Sequence, residues 1–160
     1  ASLTGHLVIS TIHGRNSVGA IYRLLDLGID RYMVNYALRA VVAQRLMRRL
    51  CEHCREEYQA TPEELALYAR ETGKRPLQLI VSRGCEMCHQ SRFRGRVGIY
   101  ELLEMDEETR RLVLSQASEE EFKKELTKKG FKAMTEDGIR LVDEGVTSIP
   151  EFIRTMYDAR

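Results

Sequence analysis

The chain has 160 residues, of which 43% are hydrophobic and 31% charged, with a formal net charge of +1. That describes one ordinary globular domain, or a small domain with an appended module. The near-neutral balance excludes a global basic field for nucleic acid. No apolar run approaches the roughly 20 residues of a membrane span, which excludes a transmembrane helix, and no signal-peptide core is visible.

The first residue is Ala, and a strand-like run begins almost at once. This predicts the later part of a longer protein. Leu7-Val8-Ile9-Ser10-Thr11-Ile12 is nearly continuous and β-branched, without the alternation of a half-exposed strand. It reads as a strand buried on both faces, as in a parallel α/β sheet. Val18, Ile21, Tyr22 and Leu25 then fall at helical spacing, with Gly28 as a stop. Asp30 is placed to cap a second helix with Met33, Val34, Ala37 and Leu38 as its apolar stripe. The run from Val41 to Leu50 fits either period and is basic through Arg45, Arg48 and Arg49. It reads as a strand leading to the first cysteine.

Thr61-Pro62-Glu63-Glu64 is a helix start: a cap, a proline at the first helical position and a capping-box acid. Gly73 ends that helix. Its stripe of Leu65, Tyr68 and Ala69 is too small for a core of its own. Val97 to Leu103 reads as a strand. Four short helices follow, opened by Asp106, by Ser118, near Met134 and by Ser148, with glycines at 130 and 145 closing two of them.

All four cysteines lie in two C-x-x-C pairs, Cys51–Cys54 and Cys85–Cys88, separated by thirty residues, 55–84. Two such turns supply four thiolates to one tetrahedral ion and leave no position for water. The spacing therefore predicts a structural zinc site and not a catalytic one, although four thiolates also suit iron. The thiols are expected in a reducing cytosol, where paired C-x-x-C motifs favour metal over disulfides. His53 and His89 adjoin the cysteines but are not needed as ligands, and read as surface residues. A redox protein using the pairs as disulfides is the competing reading.

His6 and His13 bracket the first run, about 20 Å or more apart if it is extended. Ligands gather at the carboxyl ends of strands in α/β sheets, so His13 is the better ligand-facing candidate. No G-x-x-x-x-G-K-[ST] loop exists, and Gly73-Lys74 is a helix terminator. No apolar strand ends in an acid as a Walker B requires. These residues are therefore not expected to hydrolyse a nucleotide by themselves. The arginine clusters at 45, 48 and 49 and at 92, 94 and 96 are read chiefly as solvated or interface groups. Their rival role is a zinc-ribbon adaptor for nucleic acid.

Thr4-Gly5-His6-Leu7-Val8-Ile9-Ser10-Thr11-Ile12-His13 closely resembles the His box of the type II secretion and type IV pilus assembly ATPases. Ala43-Gln44-Arg45-Leu46 with Arg48-Arg49-Leu50-Cys51 is similar to that family's approach to its tetracysteine motif. Gly95-Arg96-Val97-Gly98-Ile99-Tyr100-Glu101-Leu102-Leu103 resembles the segment after it, and Gly145-Val146-Thr147-Ser148 the C-terminal signature. The resemblance covers essentially the whole chain. Gly14 departs from it, since a Thr commonly follows the second histidine.

The resemblance implies an α/β fold: the C-terminal part of a RecA-like P-loop ATPase domain, with an inserted tetracysteine zinc module and a helical C-terminal subdomain. The expected division is 1–50 for the end of the ATPase core, 51–96 for the zinc module, and 97–160 for a return strand and helical subdomain. It implies His6 and His13 near the nucleotide, and Cys51, Cys54, Cys85 and Cys88 on structural Zn²⁺. ATP and Mg²⁺ are expected in the full-length parent, whose Walker A, Asp box and Walker B lie upstream. It further implies a homo-hexamer, cytoplasmic and peripheral at the inner membrane face. Its expected partners are an inner-membrane platform protein and other secretion or pilus components, with no nucleic acid. The helix from Thr61 to Gly73 is the part the zinc module is expected to present. The four-cysteine module argues against the retraction-type ATPases.

Overall fold

The computed structural model describes residues 1–74 and 78–158. In chain order they form α1 (Ser17–Asp26), α2 (Arg31–Ala37), β1 (Ala40–Leu50), β2 (Arg55–Tyr58), α3 (Pro62–Thr72), β3 (Leu79–Ser82), β4 (Phe93–Glu104), α4 (Glu107–Leu114), α5 (Glu119–Lys128), α6 (Met134–Asp143) and α7 (Ile149–Ile153). A wide helical turn over Arg154–Asp158 follows α7. The architecture is mixed α/β with two small sheets, β1 paired with β4 and β2 with β3. The Cys51 amide donates to Arg92 and the Met105 amide to Arg39, so β1 and β4 run antiparallel.

Two compact units divide these elements, and both long strands contribute to each. The first unit is Ala1–Ala43 with Glu101–Lys132. Its core gathers Val18 and Ile21 of α1, Val34 of α2, Leu103 of β4, Val113 of α4 and Phe122 of α5. Tyr22 meets Phe122 edge-on, with centroids 6.1 Å apart. The buried Glu101 carboxylate accepts from the Ser17 amide at 2.6 Å and the Ser17 hydroxyl at 2.7 Å. It thereby ties the start of α1 to β4, with a negative charge where the helix dipole favours one.

The sequence-predicted strand over residues 7–12 is not formed. From His6 to Gly14 the backbone is irregular and exposed. A strand buried on both faces needs neighbours to take up its amides and carbonyls. The described strands pair only with one another, and Leu7 is left 84% and Ile9 89% exposed.

The second unit is Gln44–Tyr100 with Ala133–Arg160. Here β2 and β3 run antiparallel, from Arg55 opposite Ser82 to Tyr58 opposite Leu79. The sequence reading missed this pair, because Arg55-Glu56-Glu57-Tyr58 is charged and shows no apolar alternation. Helix α3 has the expected capping box, with Thr61 Oγ1 accepting from the Glu64 amide and Glu64 from the Thr61 amide. One of its faces is packed, while Pro62, Glu63, Ala66 and Arg70 are exposed. Tyr68 is buried, α3 packs on α6 and α7, and the Tyr68 hydroxyl bonds to Asp143. The apolar support that the loop lacks is thus borrowed from the C-terminal helices. Thr61→Ala is expected to cost about 1 kcal/mol. The check is a lowered urea midpoint with an unchanged slope. The last four helices, grouped together by the sequence, are shared out: α4 and α5 belong to the first unit, α6 and α7 to the second.

Candidate metal centre

The four cysteines converge within the second unit. Cys51 follows β1, Cys54 precedes β2, Cys85 follows β3, and Cys88 closes a 3-10 turn over Glu86–Cys88. Each C-x-x-C closes on itself, the Cys54 amide donating to Cys51 at 3.3 Å and the Cys88 amide to Cys85 at 3.2 Å. The two turns are held on a common frame. Arg92 takes the Cys51 amide at 3.0 Å, the buried Ser82 hydroxyl donates to the Cys51 carbonyl at 3.1 Å, and the Arg83 amide donates to Cys54 at 3.1 Å.

The four sulfurs all lie within 4.8 Å of one another. Cys51 to Cys85 is 3.8 Å, Cys85 to Cys88 is 3.8 Å and Cys54 to Cys88 is 4.0 Å. A tetrahedral ion with metal–sulfur bonds of about 2.3 Å has sulfur–sulfur edges of about 3.8 Å. A disulfide would need about 2.05 Å, and all four are free thiols. The donor set and its spacing therefore fit one tetrahedral metal ion. Among the described residues these cysteines are the group arranged to hold one.

The thiols share protons unequally. Burial alone would raise Cys88, but backbone amides at Cys85 and Arg92 outweigh it and hold the thiol down to about 6. Burial pushes Cys85 up to about 11. The Cys85 amide donates to the Cys88 sulfur at 3.2 Å, so the peptide favours a thiolate there. Metal ligation needs the thiolates, so a bound cation would displace the thiol protons.

The other sequence-predicted positions are not members of this cluster. His53 and His89 are exposed. His6 and His13 belong to the first unit, in the exposed irregular segment. The His6 ring Nδ1 lies 3.1 Å from the Thr4 hydroxyl. Of the arginines, Arg48 and Arg49 are engaged with Glu151 and Glu52, while Arg92, Arg94 and Arg96 are exposed.

The sequence reading missed Glu151. Its carboxylate is fully buried and accepts from the Arg48 amide at 2.9 Å. It also takes the Arg48 guanidinium at 2.7 and 3.0 Å and the Arg154 guanidinium at 2.6 and 2.8 Å. Burial alone would raise this carboxyl, and the two arginines instead hold it down to about 2. A Ser-x-x-Glu capping pattern at Ser148 was the sequence signal, but it places Glu151 only on a helix and not against Arg48.

The sequence profile described as "Type II/IV secretion system protein" matches residues 1–154. The chain is 44% identical over 96% of its length to "Type II secretion system protein E" of Pseudomonas aeruginosa, and covers 30% of that protein. It is 41% identical over 99% of its length to "Type II secretion system ATPase E" of Vibrio cholerae, covering 31% of it. It is 38% identical over 96% to "Type IV pilus assembly ATPase PilB" of Thermus thermophilus, covering 17%. The chain therefore spans less than a third of the length of these relatives. With a match along nearly its whole length, and a tetracysteine cluster where the resemblance places one, the chain belongs to the type II/IV secretion system protein family.

Proposed function

We propose that these residues serve as the metal-bearing C-terminal part of an ATPase that powers protein transport in type II secretion or type IV pilus assembly. The observation that carries this reading is the family match over residues 1–154, with relatives named as ATPases of both systems. In this reading the metal is Zn²⁺, held by Cys51, Cys54, Cys85 and Cys88 as a closed structural site. Residues 1–50 complete a RecA-like core, 51–96 form the metal-bearing insertion, and 97–160 supply the return strand and the helices. His6 and His13 approach a nucleotide whose phosphates and Mg²⁺ are held by a P-loop outside these residues. The working particle is a hexamer at the cytoplasmic face of the membrane, engaged with a platform protein.

The division of labour supplies the test. The purified 160-residue chain is expected to bind zinc and not to turn over ATP. Joining it to a segment that carries a P-loop and an acid-terminated strand is expected to give hydrolysis that His13→Ala lowers. Turnover by the 160 residues, undiminished by repurification, would contradict the proposal.

A further inference from the structure

The strands that adjoin Cys51, Cys54 and Cys85, namely β1, β2 and β3, each meet one short segment, Gly145 to Arg154. The Leu50 amide, next to Cys51, donates to Val146 at 2.9 Å. The Thr147 hydroxyl, fully buried, donates to the Arg48 carbonyl at 2.9 Å. Arg55, next to Cys54, donates to the Gly145 carbonyl at 3.1 Å. Ile80 of β3 packs so close to Gly145 that a methyl group there would come within 2.5 Å of it. On the same strand as Leu50, Arg48 is gripped by Glu151 through its amide and its guanidinium, and that guanidinium lies 4.0 Å over the ring of Phe93, next to Arg92. The carbonyl of Arg92 holds the Cys51 amide.

We propose that metal occupancy of the four-cysteine site and the order of the 145–154 segment are thermodynamically coupled, with Glu151 as the positioning residue that transmits between them. The proposal rests on the reading that the cysteines bind a metal ion. A metal draws 51–54 and 85–88 together, which fixes the ends of β1, β2, β3 and β4. Those ends present Arg48, steadied by the Phe93 ring, with Leu50, Arg55 and Ile80, to the 145–154 segment in one arrangement. Without the metal the ends separate, and the segment loses its partners on several sides at once. Coupling is reciprocal, so loosening the segment weakens the hold on the metal to the same degree. Glu151 is central because it is a fully buried charge whose partners come from both sides, Arg48 from β1 and Arg154 from its own segment. It cannot lose Arg48 without leaving a buried carboxylate under-compensated.

The test uses the full chain with zinc and after stripping by EDTA, with metal content measured in both states. Amide exchange is followed over 145–155, over 51–58 and 79–92, and over α5 as a control. Stripping is expected to raise exchange over 145–155 about tenfold, together with the cysteine strands and without α5. A chain that binds metal but shows the rise only in 51–92 overturns the coupling, as does an equal rise everywhere. A chain that binds no metal overturns the underlying reading instead. Glu151→Gln is expected to bind Co²⁺ about tenfold more weakly while keeping the sulfur-to-cobalt absorption band, because all four thiolates remain. An unchanged affinity removes Glu151 from the link. Thr147→Val, which deletes one buried hydrogen bond and keeps the shape, is expected to move the affinity in the same direction by less. If Glu151→Gln does not fold, an unchanged affinity in Thr147→Val overturns the proposal.

Discussion

Cys85→Ser is expected to abolish stoichiometric metal binding and to loosen the 51–88 loop, with the 145–154 segment that packs on it, before the first unit. Cys85 is the cleaner choice because it is partly exposed, so the serine hydroxyl meets water and the loss reports the missing ligand, not a buried polar group. Its sulfur is 3.8 Å from both Cys51 and Cys88 and within 4.8 Å of Cys54, so its loss opens three of the six edges of the tetrahedron. Removing a ligand is expected to weaken binding well beyond the 10–100-fold typical of outer-shell partners. The cost to folding is that of leaving the loop between the pairs unclosed, on the order of 3–4 kcal/mol from loop entropy. The expected signs are loss of metal by elemental analysis and protease cleavage within α3 or between β2 and β3. Intact metal content with unchanged protease resistance would mean that Cys85 is not a ligand.

Glu151→Ala is expected to destabilise the second unit by about 3–5 kcal/mol. Breaking a buried ion pair costs this much because it leaves the partners' desolvation unbalanced. The two arginines remain about half exposed, which places the effect at the lower end of that range. The pH dependence carries a sign. The folded carboxyl titrates at about 2, below its ordinary value of 4.5. A depressed folded value means stability that is fully present above about 4.5 and lost as pH falls toward 2. The gap in urea stability between the wild-type chain and Glu151→Gln should therefore be widest near neutrality and close through that window. Comparing the two proteins cancels the acid loss that both share at the thiolates. A gap independent of pH would show that the carboxylate charge is not what stabilises the segment.

What was legible in the sequence was mainly local chemistry. Asp30, Thr61, Asp106, Ser118 and Ser148 each cap a helix through the side chain, as their residue type and position predict. Caps are readable because donor and acceptor lie two or three residues apart. Helix α6 starts at Met134 behind Ala133, whose side chain makes no capping hydrogen bond, and only its apolar spacing betrayed it. The four cysteines were legible for the same reason, since C-x-x-C brings two sulfurs to one ion within a single turn.

The rest depends on partners distant in sequence. The β-branched run at 7–12 states a preference for burial, but strand formation needs a neighbouring strand, and the described residues provide none. The β2–β3 pair is held by backbone hydrogen bonds and by the cysteine turns at the end where Arg55 faces Ser82, so it tolerates charged side chains that hide it from a periodicity reading. Packing of α3 onto α6 joins Tyr68 to Asp143, and the grip of Glu151 on Arg48 crosses 103 positions. Neither pair leaves a mark on local spacing. Within the second unit the cysteine loop packs on the C-terminal helices through α3 and β3.

X-ray absorption at the zinc edge of the purified chain tests the four-thiolate site most directly. One zinc per chain with four sulfur neighbours at about 2.3 Å is the expected result. A shell containing nitrogen or oxygen, or thiols recovered as stable disulfides without bound metal, would contradict it.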